Sequence, residues 1–212
     1  MNTDLKTDQI ISQKNQLLEL LLDLSFHYSE VPKFKVAYKK ELSQFYIEAK
    51  KTTLSSGGML LVGQIFYDMI VDLDVDGIGG LTFGADPIAI STAMFANLKG
   101  KKIEAFSIRK EPKEHGIERK IEGNVKNNDK VVIVDDVITT GTSTIQAIDI
   151  AKQAGLSVLK VIVLVDRQEE NGKSNIEKRG VGVEAIFIKD DFMRLYFERR
   201  NYPSDKRRAV SG

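Results

Sequence analysis

Apolar residues near the start of the chain recur at helical spacing: Ile10, Ile11, Leu17, Leu18, Leu20, Leu21 and Leu24. The pattern predicts an amphipathic helix over residues 8–24, with Asp8 as its N-cap. Between 33 and 50 the period shortens towards two. Phe34, Val36 and Tyr38 form one run and Phe45 and Ile47 the next, which predicts a short antiparallel pair. A second helix is expected over 58–71.

Two strand, helix, strand units follow, the order that builds a parallel α/β sheet. In the first, a strand at 75–80 leads through the turn 84–87 into a helix that starts on Pro87 and ends at Leu98. Gly100 stops it, and 103–108 is the next strand. In the second, the strand 131–134 precedes a helix over 143–154 stopped by Gly155, and 158–165 is the partner strand. Continuous β-branched runs of this kind suit strands buried on both faces. A fifth strand is expected at 183–188, and the tail after Asn201 is polar and expected to fray.

The segment from Arg109 to Asp129 fits neither period. A stretch of about 20 residues without its own structure is uncommon inside a compact domain unless it works as a lid or binding loop, so it is read as a lid. Chemistry is concentrated there and at the 131–134 strand.

Residues 131–144 read VVIVDDVITTGTST. A buried strand delivers Asp135 and Asp136 to the carboxyl edge of a sheet, where open α/β folds bind ligands. The loop of Val137, Ile138, Thr139, Thr140, Gly141, Thr142 and Ser143 then offers backbone N–H groups and hydroxyls at a helix N-terminus, a ready phosphate site. Ionised aspartates beside it accept hydrogen bonds from sugar hydroxyls or face a magnesium ion. Together these features read as a clamp for a ribose 5-phosphate. The competing reading is a capped helix after an acidic turn. A Walker A loop is excluded because no lysine follows Gly141 in the required place, and a dinucleotide fingerprint because Gly141 stands alone.

The second constellation is RKEPKEHG, in which Arg109, Lys110, Lys113 and His115 gather cationic donors in one loop. Such a loop suits a diphosphate leaving group on which negative charge builds. Taken by itself, a charge run of this kind reads better as a solvated hairpin.

Composition narrows the field. The chain has 212 residues, 42% hydrophobic and 29% charged, which is ordinary for a globular protein. A net charge of +1 argues against a nucleic-acid partner, since phosphate-backbone binders carry a basic excess. No apolar stretch reaches the roughly 20 residues of a membrane span. No signal peptide is read at the N-terminus. The absence of cysteine removes disulfides, thiolate metal sites and a cysteine nucleophile, and suits a cytoplasmic location.

The VVIVDDVITTGTST stretch resembles the phosphoribosyl pyrophosphate signature of the type I phosphoribosyltransferases. The RKEPKEHG loop resembles the catalytic loop of the orotate phosphoribosyltransferases in particular. Similarity extends to KKTTL at 50–54, GIGGLTFGADPIA at 77–89 and VDRQE at 165–169, and so covers most of the chain between about 41 and 170. The resemblance implies one phosphoribosyltransferase domain over 1–212, with an N-terminal helix and hood to about 55, a core over 56–200 and a tail over 201–212. Its fold would be a mainly parallel sheet flanked by helices, with a mobile catalytic loop.

The same resemblance implies roles. Asp135 and Asp136 would take the ribose hydroxyls, and 137–143 the 5-phosphate. Lys110 would help bind substrate, and Arg109, Lys113 and His115 would close over the pyrophosphate. Thr139 and Arg167 match positions that contact orotate, and Phe45 and Tyr46 match aromatics near its ring. Magnesium is implied through pyrophosphate and ribose oxygens, with no direct protein ligand, and a homodimer with shared sites is implied as the assembly. The sequence departs from the family where many members carry a lysine in the 84–87 turn. Asp86 stands there, and a carboxylate cannot donate to pyrophosphate. Lys35, Lys39 and Lys40 lie near another family lysine without matching its spacing. The alternatives are a related enzyme acting on a different base, a nucleotide-sensing regulator without catalysis, and a piece of a bifunctional pyrimidine enzyme. The chain end near Gly212 weighs against the last.

Overall fold

The computed structural model describes residues 3–36, 41–111 and 120–201, and of residues 3–7 and 201 the backbone alone. Helix α1 (Thr3–Leu24) begins earlier than the apolar periodicity suggests. Asp8 is therefore an interior helical residue and not an N-cap: the polar turn before it is helical too. Leu17 and Leu21 are its fully buried ridge.

The short antiparallel pair exists, with a different first member. Strand β1 (Phe26–Tyr28) leaves α1 after one residue and pairs with β2 (Phe45–Ile47). Phe34 makes only an isolated bridge to Ser43. Tyr38 lies outside the described residues. This two-stranded hood is tied down by α2 (Lys50–Thr53), where the buried Thr52 hydroxyl lies 2.7 Å from that of Ser25. Helix α3 (Ser56–Asp68) starts with a Ser55 side-chain cap on the Gly58 N–H.

The sheet follows the predicted units. Its strands are β3 (Gly77–Leu81), β4 (Glu104–Ile108), β5 (Ile121–Gly123), β6 (Lys130–Ile138), β7 (Ser157–Asp166) and β8 (Val183–Ile188). Their order is β5-β4-β3-β6-β7-β8, with every pairing parallel except β4 with β5. Helix α4 (Asp86–Leu98) carries the chain from β3 outward to β4, and α5 (Thr142–Gln153) carries it the other way, from β6 to β7. The chain therefore reverses its winding between β3 and β6, and a crevice opens beyond the carboxyl ends of those two strands.

Hydrophobic cores lie on both faces of the sheet. Val132, Val134 and Ile162 pack with α1, α3 and α4, whereas Val131, Ile133 and Val163 pack with α5. The period-two alternation of a strand buried on both faces produces this division. Besides β1 and α2, three elements escape the sequence pattern. β5 forms a hairpin with β4 inside the segment read as a structureless lid, so that segment is ordered at both described ends. Helices α6 (Gly172–Glu177) and α7 (Lys189–Asn201) complete the chain, and Arg199 of α7 pairs with Glu19 and Asp23 of α1. Among the described residues, no helix is long and apolar enough to cross a membrane.

Candidate active site

Strand β6 is longer than predicted, and its extra length shapes the site. Its ladder with β3 stops at Ile133, whereas its ladder with β7 continues to Ile138. Asp135 and Asp136 thus sit on the one stretch of β6 whose β3 side is open. Adjacent strand residues face opposite ways, and the two acids divide accordingly. Asp135 turns towards α5, where Thr144 Oγ1 donates to its Oδ2 at 2.6 Å. Asp136 turns towards the hood and the β3–α4 turn, with Lys50 Nζ 3.8 Å from its Oδ2.

The environments differ as well. Asp135 is 6% exposed. Burial, reinforced by the neighbouring Asp136 charge and opposed by the Thr144 hydrogen bond, pushes its carboxyl up to about 7. The Asp136 side chain keeps 15% exposure and lies against Gly84 so closely that a Cβ built there would meet Oδ1 at 2.5 Å. Gly84 is needed because the turn and the carboxylate share that space.

Gly141 takes a left-handed conformation, φ +77°, and hands the chain into α5. Residues 137–144 and Asp135 enclose a small bowl of about 100 Å³. The Thr140 and Thr142 hydroxyls lie 2.8 Å apart on its rim. The bend rests on α6, an element the sequence pattern did not reveal: Asn175 Nδ2 donates to the Thr140 carbonyl at 3.1 Å, and Gly172 leaves no room for a Cβ at Gly141. A helix N-terminus facing a bowl of this size has the chemistry to suit an anion.

Arg167 leaves the end of β7 and is 1% exposed. Its guanidinium stacks 4.0 Å from the Phe45 ring centroid. Nη2 donates to Ser43 Oγ at 3.1 Å, to the Phe45 carbonyl at 3.3 Å and to Glu169 Oε2 at 3.2 Å. Burial lowers its pKa, with Glu169 opposing the shift. Arg167 thus joins the hood to the sheet. Phe45 is buried in that joint, whereas Tyr46 is 36% exposed and stacks with His27 and Phe34.

Arg109 leaves β4, and its Nε donates to Glu122 of β5 at 3.0 Å. Its N–H also donates to the Lys120 carbonyl, so the charged segment begins as a hairpin on the sheet edge. Lys110 is exposed. Lys113 and His115 lie outside the described residues, as do Lys39 and Lys40. Asp86 heads α4 and accepts from Thr82 Oγ1 at 2.6 Å through Oδ2, while its buried Oδ1 has no partner among the described residues. Lys50 received no role from the sequence. The KKTTL similarity marked its neighbourhood, but only the folded hood brings it to Asp136.

Comparison with known proteins agrees with this geometry. The family model described as "Phosphoribosyl transferase domain" matches residues 94–191. The orotate phosphoribosyltransferase of Aquifex aeolicus (strain VF5) is 36% identical over 178 residues, spanning 84% of this chain and 96% of the relative. A phosphoribosyltransferase structure from Corynebacterium diphtheriae superposes with a TM-score of 0.73 at 32% identity, covering 85% of this chain and 98% of that one. Mycobacterium tuberculosis H37Rv orotate phosphoribosyltransferase, solved in complex with 5-phospho-alpha-D-ribosyl 1-diphosphate, superposes with a TM-score of 0.68 at 27% identity over 85% of this chain and 92% of its own. With curated relatives more than 30% identical over most of this chain and nearly the whole of their own length, this chain belongs to the orotate phosphoribosyltransferase family.

Proposed function

We propose that the protein transfers the 5-phosphoribosyl group of phosphoribosyl pyrophosphate to orotate, yielding orotidine 5′-monophosphate and pyrophosphate in pyrimidine biosynthesis. The observation that carries this proposal is the anion bowl of residues 137–144, set beside Asp135 at the point where the sheet reverses its winding. The bowl takes the 5-phosphate, which brings the sugar hydroxyls to Asp135 and Asp136. Arg167 and Thr139 contact the flat acid. A planar guanidinium fork suits its carboxylate and carbonyl oxygens.

The bond from the anomeric carbon to the pyrophosphate oxygen breaks, and orotate N1 forms the new bond on the opposite face, with inversion. The electron pair leaves with pyrophosphate and the proton of orotate N1 passes to solvent, so the protein needs no nucleophile. Positioning and stabilisation of the leaving charge supply the acceleration. Arg109, Lys110, Lys113 and His115 serve that charge, and the lid they form keeps water from the activated sugar.

The donors at the site suit magnesium, because Asp135 and Asp136 offer hard oxygen and the chain has no thiolate. The ion would be held chiefly by diphosphate and sugar oxygens, near Asp136, and would neutralise charge on the departing pyrophosphate.

We propose a twofold dimer with shared sites, located in the cytoplasm. Helices α3 and α4 pack together yet expose Met59, Leu60, Ile90, Met94 and Leu98, and the last three form one stripe at four-residue spacing. An apolar face of this kind favours a second copy of the chain.

The test adds orotate and magnesium phosphoribosyl pyrophosphate to the purified protein and follows orotate absorbance and pyrophosphate release. Loss of orotate that requires both substrates is expected. Turnover of another base in a parallel panel would reassign the substrate. Binding of the donor without pyrophosphate release with any base would mean a nucleotide-sensing regulator.

A further inference from the structure

We infer that Lys50 is a further substrate-binding residue of this site, whose ammonium takes the diphosphate of the sugar donor. The inference rests on the assignment of Asp136 to the sugar hydroxyls proposed above and adds to it the group that receives the neighbouring diphosphate. Lys50 opens α2, and that helix is fixed: Ala49 is 1% exposed, Thr52 and Thr53 are fully buried, and Thr52 is bonded to Ser25. The stem therefore leaves a rigid point, while the side chain itself keeps 44% exposure.

Its Nζ lies 3.8 Å from Asp136 Oδ2, too far for a good hydrogen bond. The ammonium is held near the acid by charge without being committed to it, and it can turn to an incoming anion. Lys51, next in the chain, is committed elsewhere: its Nζ pairs with Glu48 at 3.0 Å.

The opposite wall explains why such a cation is required. The 84–87 turn approaches Asp136 through Gly84, yet its ionisable side chain is a carboxylate, Asp86, turned inward to Thr82. A diphosphate attached one carbon away from the hydroxyls held by Asp136 would find backbone and acid on the turn side. Among the described residues, Lys50 is the lysine whose ammonium approaches Asp136. The hood thus supplies the charge that the turn lacks.

The test measures binding of two separate probes to the intact protein by calorimetry, inorganic pyrophosphate with magnesium and ribose 5-phosphate. In Lys50→Ala, pyrophosphate affinity should fall by about tenfold or more, the scale of one charge-assisted contact. Ribose 5-phosphate affinity should stay within about twofold, and Lys50→Arg should recover most of the loss. Lys51→Ala should bind both probes like the wild type. Unchanged pyrophosphate binding in Lys50→Ala overturns the inference. So does an equal loss of ribose 5-phosphate, which would make Lys50 a positioning residue acting through Asp136. A wild-type protein that binds neither probe would instead remove the proposed function itself, and this inference with it.

Discussion

Thr144 and Asp135 join the first turn of α5 to the open edge of β6 by one 2.6 Å hydrogen bond, in which the hydroxyl donates and the carboxylate accepts. The bond leaves Asp135 in a buried place where ionisation is costly, and this has a consequence for stability. The carboxyl is pushed from 3.8 up to about 7, chiefly by burial and then by Asp136. Between those values the folded chain keeps a proton that the unfolded chain has released. Asp135 therefore favours folding most at low pH, and that contribution is lost as pH rises through about 7.

Asp135→Asn removes the charge while its amide oxygen can still accept from Thr144, but its amide NH2 then faces the Asp136 N–H that Asp135 Oδ1 accepts, a cost that does not vary with pH. Stability relative to the wild type should therefore rise by about 2–4 kcal/mol from pH 4 to pH 8. Thermal melts across that range measure it. A gap that does not change with pH would mean that Asp135 is not the buried acid described here.

Gly141→Ala tests the bend. Alanine at φ +77° is strained, and its Cβ would lie 2.8 Å from the Gly172 carbonyl oxygen and from Ile176 Cγ1. The loop must shift off α6 to admit it. Stability should fall by about 1–3 kcal/mol. KM for phosphoribosyl pyrophosphate should rise by at least about tenfold, with a smaller change for orotate. Steady-state kinetics with each substrate varied separates the two, and an equal rise in both constants would count against a phosphate seat here.

Much of this was legible in the chain and some was not, for physical reasons. The run 131–134 is unbroken Val and Ile, 158–165 and 183–188 are rich in them, and each lies within or coincides with a strand of the parallel sheet. The TTGTS bend and its helix follow from composition, since glycine and hydroxyl residues have few other uses in that position. β5 is three residues long in a charged stretch, and α7 begins and ends in charged residues, which leaves its buried stripe of Phe192, Leu195 and Tyr196 short. The hood pairing differs from the expected one because β1, three residues long, has no room to show alternation. The approach of Lys50 to Asp136 and the burial of Arg167 depend on how the hood docks, which local pattern does not encode.

Arg167 illustrates that limit and makes its own prediction. Arg167→Ala removes the stack on Phe45 and leaves Ser43 Oγ and the Phe45 carbonyl without their guanidinium donor. Breaking a buried charged network of this kind should cost about 3–5 kcal/mol, visible in a urea titration. Arg167→Lys keeps the charge but not the plane. It should recover part of the stability while activity on orotate stays low. Wild-type stability in the alanine variant would show that the hood does not depend on this residue.

Lys113 is assigned to the lid by its place in the RKEPKEHG segment. Lys113→Ala should lower kcat by about a hundredfold or more, the scale of a lost donor to a developing charge, without moving the melting temperature. An active variant would end the lid assignment.

The exposed stripe of α4 gives a test of the proposed assembly. Ile90 is 61% exposed, Met94 55% and Leu98 73%, far more than the faces of α4 that meet the sheet. A glutamate at Met94 would place charge in the middle of the stripe. If this face joins two copies, Met94→Glu should sediment as a monomer at concentrations where the wild type is a dimer, with circular dichroism unchanged. Were the sites shared as proposed, the monomer should also lose most of its activity, because each lid would have no partner site to cover. Mixing an Asp136→Ala chain with a Lys113→Ala chain then supplies the complementary result: one site in the mixed dimer has both groups intact and recovers part of the turnover. A fully active Met94→Glu monomer would separate catalysis from assembly, and absence of recovery despite subunit exchange would confine each lid to its own chain.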